Sequence, residues 1–230
     1  MRPSPDALML FAAGFGTRMG ALTAYRPKPL VEVAGRPLIA HALDLVTGAD
    51  IGRVVANVHY RAAQMTAYLA GRGIAISDES GDILETGGGL RLALPQLGPG
   101  PVFTLNTDAA WTGPNVLERL RASWSPDRMG ALLALVPTER AIGYRGAGDF
   151  ALDPQGRITR GAAYVYTGAQ ILDPAGIETI PERVFSLNRL WDRMIAEGRA
   201  HGLVHEGGWC DVGRPESIPL AEAMLRAADV

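Results

Sequence analysis

Apolar positions along the chain fall into short unbroken runs, separated by stretches where they recur every three or four residues. That alternation is the mark of buried strands and the helices that cover them. Ala7 to Ala12 is wholly apolar and stops at a glycine loop, so it reads as a buried first strand. Pro37 to Val46 has helical spacing with a proline at its start. Arg53 to Val58 reads as a second buried strand, Ala62 to Ala70 as a helix and Ile74 to Ser77 as a brief strand. Leu90 to Leu94 has helical character, and Val102 to Leu105 is a strand ending at Asn106-Thr107-Asp108. Met129 to Val136 is apolar throughout, like a central strand. From Ala147 to Thr167 short alternating segments are broken by Asp153-Pro154 and Gln155-Gly156, which predicts a hairpin. Leu187 to Glu197 and Glu216 to Ala228 read as helices. The order predicts an α/β fold, a mostly parallel sheet covered on both faces. No linker, repeat or low-complexity segment interrupts it, so residues 1–230 form one domain.

Composition narrows the function classes. The chain has 230 residues, and 47% hydrophobic content is enough to fill a substantial core. A net charge of -2 carries no polybasic footprint for nucleic acid. One cysteine, Cys210, excludes an internal disulfide framework and fits a reducing compartment. Met1 to Asp6 lacks the basic stretch and apolar run of a secretory signal. No apolar run approaches the roughly 18 to 20 residues that span a bilayer. The expectation is a cytoplasmic protein with neither nucleic-acid nor membrane partners.

The first loop holds concentrated chemistry. Ala13-Gly14-Phe15-Gly16-Thr17-Arg18 follows the first strand directly. Glycines there let backbone N–H groups close on an anion, and Arg18 adds a planar cation suited to phosphate oxygens. The third glycine of a dinucleotide fingerprint is replaced by Met19, and no P-loop spacing is present. On its own the pattern fits a structural turn equally well. Pro27-Lys28-Pro29 predicts a stiff extended strip that holds the Lys28 amine as a placed charge.

Gly14 to Met19, then Leu22-Thr23, Pro27 to Val31 and Val33 to Ile39 resemble the signature of sugar-1-phosphate nucleotidyltransferases. The resemblance implies a Rossmann-like three-layer αβα sandwich with a mixed, mostly parallel central sheet. It implies a nucleotide-binding part over about 1–112 and a sugar-phosphate-binding part over about 113–230. It assigns nucleotide contacts to Ala13, Gly14, Gly16, Thr17, Arg18 and Lys28, with Arg18 and Lys28 catalytic.

A second cluster, Leu84-Glu85-Thr86-Gly87-Gly88-Gly89, opens the helical stretch. Thr86 suits an N-cap, and each glycine inside a helix costs about 0.8 to 1 kcal/mol against alanine. Close approach of a flat ligand explains three together. The resemblance places Thr86, Gly87 and Gly88 at the nucleobase, with Asp78 or Glu79 accepting from a ring N–H. The LETGGG run looks like the N-acetylmuramate 1-phosphate uridylyltransferase branch.

Asp108 lies past the carboxyl end of a strand, where open α/β sheets bind ligands, and Asp211 follows Gly207-Gly208-Trp209-Cys210. Two carboxylates beside a phosphate loop suit Mg²⁺, which takes few protein oxygens and keeps phosphate oxygens and waters. Trp209 to Gly213 matches the closing motif of the family, whereas Thr107 stands where relatives often have glycine. On the acceptor side the resemblance implies contacts from Asn106, Gly148, Asp149 and Thr167, with Arg145 and Arg160 as alternative phosphate partners. The substrates implied are UTP and N-acetylmuramic acid 1-phosphate. Guanylyl transfer to mannose or heptose 1-phosphate, thymidylyl or uridylyl transfer to glucose 1-phosphate, a molybdenum-cofactor nucleotidyltransferase and a non-catalytic nucleotide-sugar sensor are the alternatives. The absence of an appended β-helix after Val230 favours a monomer.

Overall fold

The computed structural model describes residues 5–228. Residues 1–4, the greater part of the stretch read as lacking a signal, and residues 229–230 at the far end of the expected domain lie outside the described residues. The first half alternates strand and helix: β1 (Ala7–Phe11), a small hairpin of β2 (Glu32–Val33) and β3 (Arg36–Pro37), α1 (Leu38–Gly48), β4 (Arg53–Val58), α2 (Ala62–Leu69), β5 (Ile74–Asp78), α3 (Glu85–Leu97) and β6 (Val102–Asn106). The second half is β7 (Ala109–Trp111), α4 (Val116–Ser123), β8 (Ala131–Pro137), β9 (Ala141–Ile142), β10 (Phe150–Leu152), β11 (Ile158–Arg160), β12 (Tyr164–Leu172), α5 (Asn188–Ala196), β13 (Ala200–Val204), β14 (Trp209–Asp211) and α6 (Ser217–Ala228).

The central sheet runs β11-β10-β12-β6-β1-β4-β5, with β8 joined to β12 and β13 to β8. Pairing is parallel within β6-β1-β4-β5 and between β13 and β8. It is antiparallel where β12 meets β6 and β8 and in the β10–β11 hairpin. The sheet is therefore mixed, as the resemblance implies.

Alternation along β1 explains the layers. Leu8 and Leu10 enter the core beneath α1, α2 and α4 with Ile39, Met65 and Leu120. Ala7 and Met9 enter the opposite core beneath α3 and α5 with Leu90, Leu190 and Met194. A third, smaller cluster packs Met19, Val31 and Leu38 against Cys210, Val212 and Ala221 of α6. It fastens the segment after the glycine loop to the chain's C-terminal end.

The short strands β2, β3, β7 and β9 were not legible in the apolar pattern, and neither were two longer elements. The α4 helix is a short, polar-faced segment whose Asn115 caps the Leu117 N–H at 2.9 Å. The β13 strand holds His201 and Gly202, weak strand formers, and becomes a strand by pairing in parallel with β8.

Candidate active site

A cleft of about 210 Å³ opens at the carboxyl ends of β1, β4 and β6, and Ala13, Gly14, Lys28, Glu79, Thr86, Asn106 and Asp108 help line it. This is the edge at which open α/β sheets take ligands. The glycine loop turns through Gly16 at φ +64, where a Cβ would stand 2.8 Å from the Lys28 Cβ. Gly16 thus lets the loop close over Lys28, and Thr23 ties it from below by donating its hydroxyl to the Gly16 carbonyl at 3.0 Å. Thr17 starts a 3-10 segment and is exposed, as is Arg18. Arg18 makes no ion pair among the described residues.

Lys28 is not in the extended strip predicted for it. Pro27 is extended, but Lys28–Leu30 forms a 3-10 turn, closed by the Val31 N–H on the Lys28 carbonyl at 2.9 Å. The turn buries Lys28 to 8% exposure and directs its Nζ to Asp108 Oδ2 at 2.7 Å. Thr107 is almost fully buried and donates its hydroxyl to the Phe11 carbonyl at 2.8 Å, fixing the end of β6 against the end of β1.

Asp211 reaches Asp108 through the sheet register. Antiparallel pairing of β14 with β7 sets Asp211 opposite Ala109, and the Val212 N–H donates to the Asp108 carbonyl at 2.9 Å. Burial, then the charge of Asp108, pushes the Asp211 carboxyl above the usual range, while Lys28, Arg18 and Arg214 oppose that rise. Two carboxylates driven together against that penalty fit a divalent cation. Among the described residues no group of three or more His, Cys, Asp or Glu could hold a metal. Asp108 and Asp211 are a carboxylate pair that could hold Mg²⁺, with phosphate oxygens and water completing its shell. Burial pushes the neighbouring Cys210 thiol up to about 12, so it is no nucleophile at neutral pH.

Several expected contacts stand elsewhere. Gly87 and Gly88 are buried beneath the chain's own 183–185 segment and do not line the cleft. Their N–H groups both donate to the Phe185 carbonyl, at 2.8 and 3.1 Å. A Cβ on Gly87 would strike the Phe185 ring, and one on Gly88 would lie 2.5 Å from the Arg183 carbonyl oxygen. Close approach of protein is by itself enough to demand glycine at both positions. Thr86 lines the cleft but is no N-cap: it lies inside α3, and its hydroxyl accepts from the Leu187 N–H at 3.0 Å. Asp78 is exposed off the cleft, where hydrogen bonds from Ser80 hold its carboxyl below the usual range. Glu79 does line the cleft, with both carboxylate oxygens already accepting from protein donors.

The acceptor-side residues divide likewise. Asn106 lines the cleft. Gly148, at φ +103, would place a Cβ 2.5 Å from the Ala162 carbonyl oxygen, so its missing side chain serves a chain crossing. Asp149 accepts from the Tyr166 N–H at 2.8 Å and from the Tyr144 hydroxyl at 3.4 Å. Thr167 is buried and donates its hydroxyl to the Ala134 carbonyl at 2.7 Å. Arg160 is bound to Asp192 and Asn188 and lies over the Phe150 ring. Arg145 is exposed and unpaired among the described residues. Sequence reasoning passed over Asn57 and Arg214. Asn57 is a polar residue closing an apolar strand, and Arg214 follows the Asp211 motif, so both carried a readable cue.

A model of the MobA-like NTP transferase domain matches residues 8–167, which take in β1, the glycine loop, Lys28 and Asp108. The chain belongs to that family. Over 99% of its length it is 41% identical to N-acetylmuramate alpha-1-phosphate uridylyltransferase of Caulobacter vibrioides, covering all of that protein. It is 32% identical to the protein of the same name in Neisseria meningitidis serogroup B, over 95% of this chain and 98% of that one. HddC from Yersinia pseudotuberculosis superposes with a TM-score of 0.77 at 19% identity, over 96% of this chain and 99% of that one. That likeness speaks to the fold alone. As a MobA-like NTP transferase the chain is a nucleotidyltransferase. Among the described residues no helix is long and apolar enough to cross a membrane.

Proposed function

We propose that this nucleotidyltransferase moves the uridylyl group of UTP to N-acetylmuramic acid 1-phosphate, giving UDP-N-acetylmuramic acid and pyrophosphate, a step in cell-wall recycling. The observation that carries the chemistry is the Lys28–Asp108 pair beside Asp211 at the mouth of the glycine loop. The choice of substrates is supported by the full-length likeness to two relatives of that name.

A phosphate oxygen of the sugar attacks the α-phosphorus in line, the bond to the β-phosphate oxygen breaks, and pyrophosphate leaves with that electron pair. The nucleophile is already an anion, so no strong general base is needed. Positioning and charge neutralisation supply the catalysis. Backbone groups of Ala13, Gly14 and Gly16 and the side chains of Thr17 and Arg18 hold the triphosphate, and Arg18 follows the leaving pyrophosphate. Lys28 stabilises charge building at the transferring phosphorus. Asp108 and Asp211 would hold Mg²⁺, which supplies charge neutralisation and orientation at the α-phosphate. Tyr144, Asp149 and Arg145 form the approach for the sugar phosphate, with Asn106 on the shared wall. The nucleotide-binding part is about 1–112, and the sugar-phosphate-binding part is about 113–230. A monomer acting in the cytoplasm belongs to the same reading.

The test is pyrophosphate release with N-acetylmuramic acid 1-phosphate and Mg²⁺, offered UTP, GTP, dTTP, CTP and ATP in parallel. Release with UTP alone is the expected result. Release only with GTP and mannose 1-phosphate would reassign the substrates, and activity undiminished by EDTA would remove the metal.

A further inference from the structure

We infer that Glu79 sets the width of the nucleotide cleft through a hydrogen-bonded relay with Asn57, as a positioning residue and not as a reader of the base. This rests on the nucleotidyltransferase reading, which gives the cleft to a triphosphate.

Asn57 ends β4 one residue before its last position, and Glu79 follows β5 directly, its N–H continuing the ladder to the Val58 carbonyl at 2.8 Å. Both side chains are nearly sealed from water, at 3% and 2% exposure. The Ala12 N–H donates to Asn57 Oδ1 at 2.8 Å, Asn57 Nδ2 donates to Glu79 Oε1 at 2.7 Å, and the Leu84 N–H donates to Glu79 Oε2 at 3.1 Å. One end of this chain of bonds is the start of the glycine loop. The other is the residue before α3, next to Glu85 and Thr86 on the cleft wall.

A second arm reaches the same loop further on. His59 Nδ1 donates to the Glu79 carbonyl at 2.6 Å, and the His59 ring packs edge-on against Phe15 at 5.0 Å. Glu79 thus ties the glycine loop at Ala12 and at Phe15 to the opposite wall at Leu84. Gly89 keeps the space open, since a Cβ there would lie 2.5 Å from Glu79 Oε1 and 3.2 Å from Asn57 Nδ2.

The polarity of the relay dictates its residue types. Glu79 must accept at both oxygens, because a donor faces each of them. In a site this dry, a donor set against a donor leaves both unsatisfied and pushes the walls apart. Glu79→Gln puts an amide N–H against Asn57 Nδ2 or the Leu84 N–H. Asn57→Asp sets one carboxylate against another. The double variant Asn57→Asp/Glu79→Gln reverses the polarity and restores every bond. Its new carboxylate accepts from the Ala12 N–H and from the new amide, whose oxygen accepts from the Leu84 N–H.

The experiment measures KM for each substrate, kcat and the melting temperature for wild type, both single variants and the double variant. Each single variant is expected to raise the triphosphate KM about tenfold or more and leave the sugar-phosphate KM within about twofold. The double variant should return the triphosphate KM to within about threefold of wild type. A double variant that melts like wild type yet keeps the raised triphosphate KM would overturn the proposal, because the Glu79 carboxylate would then touch the base itself. Equal rises in both KM values would overturn it as well, leaving Glu79 with a merely structural part. Should either single variant fail to fold, the comparison of double variant with wild type still decides. Turnover by wild type with a base other than uracil defeats the uridylyl assignment alone. Turnover with none of the five triphosphates defeats this proposal together with the reading beneath it.

Discussion

Asp108 and Asp211 are costly residues to place together, and that cost points to their use. Burial and a neighbouring like charge both raise the Asp211 carboxyl, and Lys28, 2.7 Å from Asp108, offsets the charge only in part. Asp108→Asn or Asp211→Asn is expected to lower kcat by about 10²-fold or more, the scale on which single electrostatic groups act in closed sites. Asp211→Asn should not lower the melting temperature, since it relieves repulsion, whereas Asp108→Asn also takes the partner from the buried Lys28 amine and should lower it. A variant that keeps full turnover would lose its place at the metal. His205 makes a different residue-scale test. Burial holds its imidazole below the ordinary value of 6.5, so the folded state favours the neutral ring. The stability it contributes is full above about pH 6.5 and is lost as pH falls through that value toward the lower folded pKa. Denaturant midpoints measured from pH 8 to 5 should therefore fall more steeply for wild type than for His205→Gln.

At the scale of elements, the N-terminus of α3 shows a glycine signature that the packing of the chain already requires. Three glycines there promised an approach to a ligand. The approach is made by the 183–187 segment, whose Phe185 carbonyl takes the Gly87 and Gly88 N–H groups. Arg91 clamps that segment by donating to the Ile180 and Glu182 carbonyls at 2.6 Å and by lying over the Phe185 ring. Gly87→Ala gains about 1 kcal/mol of helix propensity but drives a methyl into the Phe185 ring, and overpacking of about 1–3 kcal/mol wins. The melting temperature should drop by several degrees, and more than for Gly14→Ala, where a Cβ meets open space. Equal melting temperatures for the two variants would contradict the packing of Gly87 against Phe185.

For the whole molecule, the decisive strand is β12. It is hydrogen-bonded to β6, which carries Asp108 at its end, and to β8 of the second half. The β14–β7 pairing then brings the C-terminal Asp211 back across the chain to the same place. Neither half has a closed sheet without the other, so unfolding should be a single cooperative transition. Far-ultraviolet circular dichroism and tryptophan fluorescence should trace the same denaturant curve. Two separated transitions would mean that the nucleotide and sugar-phosphate parts fold as independent units.

The chain's apolar periodicity was enough to lay out β1, α1, β4, α2, β5 and β6, because each buries a face whose spacing is written locally. The glycine loop, Lys28, Asp108 and the Asp211 motif stood out through their ordered resemblance to sugar-1-phosphate nucleotidyltransferases, since residue type alone fitted a turn, a surface lysine or a cap as well. Tertiary structure alone decided what those residues meet. That Gly87 and Gly88 face Phe185, that Thr167 is spent on Ala134, and that Glu79 is held by Asn57 and Leu84 depend on contacts between segments that the chain order does not pair. Such contacts carry no periodicity. They are set when two faces of one sheet close, and hydrogen-bond geometry inside that closure chooses which polar residue serves a ligand and which serves the fold.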